Sequence, residues 1–337
     1  MKVGINGFGR TGRLIFRALY TRYPEHPVAA INDIAPPEFC AYLLKHDSVH
    51  RSFPAEVSLS QEQGVPKISI PGYGKVAVFS AKHPKDIPWP DAEVDLAIEV
   101  TGRFTDAEEA GTHQADKVVV AAPSKGADIT VVMGINEKKY DPNRHRVVSN
   151  ASCTTNCAAF LIKVLDDNWG VEYALLSTVH AATNDQPVLD RAHRKSLRRS
   201  RAVLDNIIPT TTGAARTVGK VIEDLAGRLD GNAYRVPVRT VSIAEVVALT
   251  QRQPELDALK EAFKEAAGKS PYLGYTEEEL VSSDLVGNEH SCVFDANLAM
   301  VTGRLVKVAG WYDNEWAYAC RVADLVAHIA EGQSKKR

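Results

Sequence analysis

The amino-acid sequence predicts an α/β protein with two domains: first a doubly wound parallel sheet, then an α+β domain with a mostly antiparallel sheet. Three observations support this prediction. Strand-like and helix-like segments alternate in the first part of the chain, which is typical of parallel sheets. Longer strand-like segments with fewer helices between them follow. The length of 337 residues exceeds one hydrophobic core, and 45% apolar side chains are enough to fill two.

The first domain begins with an apolar segment over residues 3–6, a glycine-rich turn and a segment with helical apolar spacing over 13–20. This order is typical of a strand, a turn and a helix. Similar short apolar segments predict further parallel strands over 28–31, 95–100, 117–121 and 129–133.

The second domain is predicted from a change in the spacing of apolar residues. Longer strands are expected over 174–179, 234–238, 241–249, 291–295 and 306–311. A helical pattern returns over 315–329. We therefore expect one domain over 1–152 together with 316–337, and the other over 153–315.

Composition restricts the class of partner. The 40 basic and 42 acidic side chains leave a net charge of −2, which favours small molecules over nucleic acid or an anionic membrane. The start of the chain lacks the pattern of a secretory leader, and no apolar segment approaches membrane-spanning length. The five scattered cysteines suit a reducing compartment. A cytoplasmic protein is predicted.

The glycine-rich turn has the spacing G-x-G-x-x-G, with Gly7, Gly9 and Gly12 between a strand and a helix. Such glycines permit a tight turn and close approach of the backbone to a pyrophosphate, which the helix N-terminus attracts. A turn that serves only helix packing is the alternative interpretation. Asp33, at the end of the second strand, has the spacing of a ribose-binding carboxylate, and such a carboxylate repels a 2′-phosphate. The two features together predict NAD binding.

Cys153 lies in the segment SNASCTTNC, where a helix is expected to begin. The positive end of a helix dipole and free backbone donors favour a thiolate there. A buried structural cysteine is the alternative interpretation. A metal pair or disulfide with Cys157 is disfavoured, because no matching His or Cys pair stands nearby and one helix face holds disulfide geometry poorly. No metal site is predicted.

His180 directly follows the strand predicted over 174–179 and precedes a polar loop over 183–186. Side chains at strand ends commonly form active sites, whereas most single histidines are ordinary core or surface groups. The polar loop favours a site for a polar ligand beside His180.

Nine stretches, in order along the whole chain, resemble those of glyceraldehyde-3-phosphate dehydrogenase of the bacterial and eukaryotic type. They are INGFGRTGR, LLKHDSVH, EVTGRF, SNASCTTNC, TVHAATNDQ, NIIPTTTGAA, RVPV, VSSDLVGNEHS and WYDNEWAY. The resemblance implies a Rossmann-type NAD-binding domain, a catalytic domain and a homotetramer. It also implies the reversible oxidation of D-glyceraldehyde 3-phosphate, with inorganic phosphate, to 1,3-bisphosphoglycerate, a step of glycolysis and gluconeogenesis.

The resemblance also implies a role for individual residues. Cys153 would form a thioester with the substrate and His180 would be its base. The other residues implied fall into three groups: Thr183 and Arg235 for the substrate phosphate; Ser152, Thr154, Arg199, Thr212 and Gly213 for the attacking phosphate; and Gly7, Gly9, Arg10, Thr11, Gly12, Asp33, Lys82 and Asn314 for the cofactor.

Two features leave alternatives open. Arg191 and Ala192 stand where NAD-specific relatives often have Leu-Pro, and a cation there could attract a 2′-phosphate, so use of NADP remains open. The chemistry is also shared by erythrose-4-phosphate dehydrogenase, and a non-enzymatic NAD- or RNA-binding protein could use the same scaffold. The TTTGAA segment and the intact set of reactive residues favour the glyceraldehyde enzyme.

Overall fold

Two units make up the chain in the computed structural model, which describes residues 1–334. The first unit contains Met1–Val131, Lys138–Ala151 and the chain from Ala319 onward. The second contains Val132–Glu137 and Ser152–Tyr318.

A nine-stranded sheet forms the first unit, in the order β3-β4-β5-β2-β1-β6-β7-β9-β8. The strands from β5 to β8 in that order are parallel, whereas β3, β4 and β5 pair antiparallel at one edge. The strands are β1 Val3–Asn6, β2 Val28–Asn32, β3 Ser58–Glu62, β4 Val65–Ile70, β5 Gly74–Phe79, β6 Leu96–Glu99, β7 Lys117–Val120, β8 Ile129–Thr130 and β9 Val147–Ser149. The helices are α1 Arg10–Arg22, α2 Pro37–Lys45 and α3 Ala107–Ala110.

An eight-stranded sheet forms the second unit, in the order β11-β12-β10-β13-β17-β15-β14, with β16 beside β17. Most of its pairs are antiparallel; β10 with β12 and β14 with β15 are parallel. The strands are β10 Val171–Ala181, β11 Ile208–Thr211, β12 Leu229–Val236, β13 Ser242–Thr250, β14 Leu273–Thr276, β15 Cys292–Asp295, β16 Met300–Thr302 and β17 Leu305–Tyr312. The helices are α4 Cys153–Trp169, α5 Ala214–Val221 and α6 Leu256–Lys269, and α7 Trp316–Ser334 follows. The predicted fold class is confirmed.

The alternation of buried and exposed side chains along β10 shows which face of this sheet carries the functional residues. Leu176, Thr178 and His180 face inward and are buried, whereas Tyr173 and Leu175 face outward and are exposed. The inward face is covered by α4, which packs against β10, β13 and β17. A side chain at the start of α4 and one near the end of β10 are therefore brought to the same edge.

Some predicted bounds differ from the structure. The strand predicted over 174–179 extends over Val171–Ala181, so His180 lies inside β10 and does not follow it. The antiparallel strands β3, β4 and β5 and the helices α2, α5 and α6 were not predicted. The side chains of β3 are mostly exposed and polar, which removes the alternating pattern that identifies a strand.

In the first unit, the segment of α7 from Ala319 onward is held to α1 by an ionic cluster around Asp324. Its carboxylate pairs with Arg321 at 2.7 Å and with Arg22 at 3.0 Å, and it accepts a hydrogen bond from the Tyr23 hydroxyl at 2.6 Å. Arg321 and Asp324 are almost completely buried. Burial and the nearby carboxylate together raise the pKa of Tyr23 above its usual value, so its hydroxyl remains a donor.

We expect Asp324→Ala to lower the free energy of unfolding by about 3 kcal/mol, because it leaves the buried Arg321 without this carboxylate. Urea denaturation measures the change. Glu93→Ala, which removes the exposed ion pair with Lys2 in the same unit, serves as the control and should change stability little. Equal stabilities of the two variants would contradict the role assigned to the cluster.

Candidate active site

Local geometry at the start of α4 presents Cys153. Ala151 has a left-handed backbone with φ of 56°, and Ser152 caps the helix by accepting the Thr155 N–H at Oγ over 3.0 Å. Cys153 is therefore the first residue of the helix, as predicted, with its thiol beside the backbone donors of the first turn.

The structure brings Cys153 and His180 together, although 27 positions separate them in the sequence. Cys153 Sγ lies 3.6 Å from His180 Nε2. His180 Nδ1 lies 2.8 Å from the carbonyl oxygen of Ala181. The tautomer that donates from Nδ1 to this carbonyl leaves the lone pair of Nε2 directed at the thiol, as a general base requires.

Arg235 joins this pair from the neighbouring strand, because the parallel register of β10 and β12 sets it opposite His180. Its Nη1 lies 2.6 Å from His180 Nδ1 and donates to the Ala181 oxygen at 3.1 Å. Arg235 Nη1 requires an acceptor at Nδ1, whereas the Ala181 oxygen requires a donor there. A neutral imidazole can provide only one of these at a time. Arg235 Nε is buried and has no hydrogen-bond partner among residues 1–334.

Burial controls the protonation of the pair. It lowers the pKa of His180 to about 3, with the Arg235 charge acting in the same direction. Burial also raises the pKa of the Cys153 thiol, and Arg235 and the Thr154 donors oppose that rise without cancelling it. The donors at the helix start favour a thiolate, as expected, but desolvation acts in the opposite direction and is the larger effect. Burial thus favours the neutral thiol and the neutral imidazole.

A chain of hydroxyls that the sequence analysis did not identify lies behind the pair. Tyr312 OH is 2.9 Å from Thr154 Oγ1 and 2.8 Å from Thr178 Oγ1, and Thr178 donates to the carbonyl of Ile243 at 3.0 Å. The Tyr312 ring meets the His180 ring edge to face at 6.0 Å. Burial raises the pKa of Tyr312, so it remains a neutral phenol. The chain connects the first turn of α4 with β10.

Asp185 organises the predicted phosphate residue Arg199, which donates to it at 3.0 Å and to Thr210 Oγ1 at 2.7 Å. His193 Nε2 contacts the same carboxylate at 3.0 Å. Asp185 belongs to the polar loop over 183–186, which the sequence analysis identified. Its two basic partners, Arg199 and His193, reach it only when the segment over 191–201 is folded. Asp185 thus carries the charge that positions the guanidinium.

The remaining phosphate-binding candidates lie near two helix starts and one turn. Gly213 precedes α5 as its N-cap, and Thr212 Oγ1 accepts the Ala214 N–H at 3.2 Å. Thr155 Oγ1 donates to the Ala214 carbonyl at 3.5 Å, which brings the starts of α4 and α5 together. Thr183 Oγ1 lies 3.2 Å from Gln186 Oε1.

In the first unit, a cavity of about 220 Å³ lies at the carboxyl ends of the parallel strands. Four predicted residues line it: Gly7, Gly9, Asp33 and Lys82. Asp33 accepts the Phe8 N–H at 2.6 Å, which joins the ends of the first two strands. Arg10, Thr11 and Gly12 do not line this cavity, and Arg10 instead pairs with Asp47 at 3.0 Å.

The three glycines of the turn serve different purposes. Gly7 has φ of 97°, and a Cβ there would lie 2.8 Å from Thr101 N. A Cβ on Gly12 would lie 2.0 Å from the Gly7 carbonyl oxygen, so helix and turn touch at this point. A Cβ on Gly9 would meet nothing within 4 Å. Packing therefore explains Gly7 and Gly12, whereas the open space at Gly9 fits the backbone approach of a pyrophosphate.

A buried polar network supports the cavity. Glu99 accepts hydrogen bonds from Asn6 at 2.5 Å and from Thr101 N at 2.9 Å, and lies 3.1 Å from His113 Nε2. Asn32 donates to Asn6 at 2.8 Å. The ends of β1, β2 and β6 are thereby fixed. These residues were not predicted, because single polar residues at strand ends show no spacing that identifies them.

Asn314 lies in the second unit, after β17, and is buried. Its Oδ1 accepts a hydrogen bond from Ser242 Oγ at 2.8 Å. Ser242 was not predicted.

A glycine turn with an acidic residue at the second strand end, in a chain that also pairs a cysteine with a histidine, defines the class of NAD-dependent oxidoreductases that act through a thiol. A family model described as the glyceraldehyde 3-phosphate dehydrogenase NAD binding domain matches residues 1–107. The model of the C-terminal domain of the same enzyme matches residues 152–314.

Curated relatives agree over almost the full length. A glyceraldehyde-3-phosphate dehydrogenase from Streptomyces coelicolor is 48% identical, with 98% of each chain covered. One from Geobacillus stearothermophilus is 46% identical over 98% of each chain. Glyceraldehyde-3-phosphate dehydrogenase 2 from Bacillus subtilis is 44% identical over 98% of this chain and 97% of the relative.

The chain belongs to the glyceraldehyde-3-phosphate dehydrogenase family and is an NAD-dependent oxidoreductase. The resemblance found in the sequence is confirmed. These matches do not favour an erythrose-4-phosphate dehydrogenase or a non-enzymatic binding protein. No helix within residues 1–334 combines the length and apolar character needed to cross a bilayer.

We expect Gly12→Ala to lower the free energy of unfolding by roughly 3 kcal/mol, because its new methyl group would overlap the Gly7 carbonyl. Gly9→Ala should cost less than about 1 kcal/mol, since nothing in the chain meets the added carbon. It should nevertheless weaken NAD binding. Urea denaturation and calorimetric titration with NAD separate the two effects, and equal losses of stability would contradict the division of roles among the glycines.

Arg235→Gln should shift the alkylation of Cys153 by iodoacetamide toward higher pH. The guanidinium favours the thiolate, so its loss raises the pKa of the thiol further, and alkylation at pH 7 should slow by about three- to tenfold. Arg235→Lys retains the charge and should keep a profile close to that of the wild type. The measurement is alkylation rate against pH, and an unchanged profile in the glutamine variant would refute the electrostatic role of Arg235.

Proposed function

We propose that the chain oxidises D-glyceraldehyde 3-phosphate with NAD and inorganic phosphate to 1,3-bisphosphoglycerate. The observation that carries this proposal is the distance of 3.6 Å between Cys153 Sγ and His180 Nε2. A thiol that can pass its proton to a neighbouring imidazole can add to an aldehyde and form a covalent intermediate. The full-length similarity to curated glyceraldehyde-3-phosphate dehydrogenases supports the choice of substrate.

In the proposed reaction, Cys153 Sγ adds to the aldehyde carbon, and the thiol proton passes through His180 to the carbonyl oxygen, which becomes a hydroxyl and leaves His180 neutral. NAD, when bound, supplies the hydride acceptor. His180 takes the hydroxyl proton as the C–H bond breaks, which leaves a thioester on Cys153. An oxygen of inorganic phosphate then attacks the thioester carbon, the C–S bond breaks, and the thiol is restored by a proton from His180.

The neutral resting pair supports this order of events. Burial disfavours both the thiolate and the imidazolium, so charge separation is costly before the substrate is present. Proton transfer coupled to formation of the C–S bond avoids an isolated buried charge. The Nδ1 contact with the Ala181 carbonyl holds the ring in the orientation that this transfer needs.

We propose two positions for phosphate groups. Arg235 and Thr183 hold the phosphate of the substrate. Arg199, Ser152, Thr154, Thr212 and Gly213 form the position for the attacking phosphate. Because the Thr154 hydroxyl is engaged with Tyr312, its backbone N–H is the donor that we assign there. Guanidinium groups, hydroxyls and backbone N–H groups at helix starts all donate to phosphate oxygens.

For the cofactor, we propose that Gly9 admits the pyrophosphate, that Asp33 binds the ribose hydroxyls and that Lys82 contacts the adenosine part. All three line the same cavity. Gly7 and Gly12 shape the turn, while Arg10 and Thr11 begin the helix beside it. Asn314 holds the nicotinamide carboxamide. The carboxylate of Asp33 favours NAD over NADP, because it repels a 2′-phosphate.

We also propose a cytoplasmic homotetramer. The outward face of the second sheet supports association, because it exposes a group of apolar side chains on β10 and β17: Tyr173, Leu175, Val179 and Leu305. Exposed apolar groups of this kind are typical of protein interfaces. Scattered free cysteines fit a reducing compartment.

Cys153→Ser should abolish the burst of NADH on mixing with aldehyde and NAD, by at least about a thousandfold, because a serine hydroxyl is a far weaker nucleophile. NAD binding should be retained. Cys157→Ser is the matched control: it alters a buried thiol one helical turn away, outside the proposed machinery, and should keep the burst. A full burst in Cys153→Ser would defeat the proposal.

A further inference from the structure

Ser242 connects two groups of the second unit that the proposed function uses. Its Oγ accepts the Ala181 N–H at 3.0 Å, and it lies 2.8 Å from Asn314 Oδ1. Ser242 is 1% exposed, so water does not compete for these bonds. We propose that Ser242 is a positioning residue that fixes the amide orientation of Asn314, an inference that rests on the proposed role of Asn314.

The direction of the serine proton follows from the strand ladder. Regular pairing of β10 with β13 ends at Val179 and Ile243, so the Ala181 N–H bonds to the Ser242 side chain in place of a backbone carbonyl. A hydroxyl has a single proton. Oγ accepts from Ala181 and directs that proton at Asn314 Oδ1, which lies 2.8 Å away.

A proton donated by Ser242 requires an acceptor, which assigns the oxygen of the Asn314 amide to that side. The Nδ2 group then points away from Ser242, and no group within residues 1–334 accepts a hydrogen bond from it. The Asn314 amide therefore presents donors and not its oxygen. An amide turned over would present an acceptor in the same place, and would pair equally well with a carboxamide turned over. Orientation of Asn314 thus selects between the two faces of a nicotinamide ring.

The backbone around Asn314 is held by a different residue. Asp313 accepts hydrogen bonds from Thr240 Oγ1 at 2.9 Å, Gly287 N at 2.8 Å, and Glu315 N and Trp316 N at 3.0 Å each. Loss of the Ser242 hydroxyl should leave this loop in place. The effect of such a variant is then confined to the Asn314 side chain and the Ala181 N–H.

The test compares Ser242→Ala with Thr250→Ala, which removes a buried hydroxyl at the other end of the same strand. Calorimetric titration with NAD should show about three- to tenfold weaker binding for Ser242→Ala, the loss expected for one neutral hydrogen bond.

With aldehyde substrate deuterated at C1, the wild type and Thr250→Ala should place deuterium on one face of the reduced nicotinamide. Ser242→Ala should place it on both faces. Ser242→Cys, nearly the same shape with a weaker donor, should show an intermediate result and serves if the alanine variant does not fold.

Labelling of a single face by both Ser242 variants, with NAD affinity equal to that of Thr250→Ala, would overturn the proposal. Slower alkylation of Cys153 with intact face selection would also overturn it, because Ser242 would then serve only the strand end. Asn314→Ala separates the two levels of inference. If it alters neither NAD affinity nor face selection, the proposed role of Asn314 fails; if it alters both while Ser242→Ala does not, only the inference on Ser242 fails.

Discussion

Burial of the Cys153–His180 pair is the constraint on which the site of the second unit depends. A thiol and an imidazole in water would titrate near their ordinary pKa values, whereas here burial raises one and lowers the other. The neutral pair is best surrounded by uncharged groups that form hydrogen bonds in fixed directions. Three such groups surround it: the Ala181 carbonyl, the Thr154–Tyr312–Thr178 hydroxyl chain and the backbone at the start of α4. The charged guanidinium of Arg235 contacts His180, and its position opposite His180 follows from strand register.

In the first unit, the main constraint is that an anion must be able to approach the edge of the sheet closely. Contact between Gly12 and the Gly7 carbonyl sets the helix against the turn, and Gly9 leaves space. The Glu99 carboxylate is buried, and donors from Asn6, Thr101 and His113 satisfy it. Because this hydrogen-bonded network already holds the strand ends in place, less conformational entropy is lost when a ligand binds.

The fold class, the parallel strands β1, β2, β6, β7 and β8 of the first unit and the Cys153–His180 pair were predicted from the sequence, because glycine spacing, apolar periodicity and ordered motifs are local signals. Some residues whose roles depend on pairing between distant strands were not predicted. Tyr312 and Ser242 acquire their roles only through the register of β13 and β17, where they face each other. The edge strand β3 was not predicted because its side chains are polar and mostly exposed, so they show little alternation. The effect of burial on the pKa values of Cys153 and His180 was also not predicted, since desolvation depends on the whole surrounding structure.

The unsatisfied Nε of Arg235 connects these observations to ligand binding. Leaving a buried donor without an acceptor costs about 1 to 3 kcal/mol, and folding has already incurred that cost here. A phosphate oxygen that reached this nitrogen would restore the missing hydrogen bond and meet a charge that is already desolvated. Neutralising Arg235 would also remove part of the field that lowers the pKa of His180, so the imidazole would become a better base when the substrate phosphate arrives. Binding at one end of the site would thereby improve proton transfer at the other.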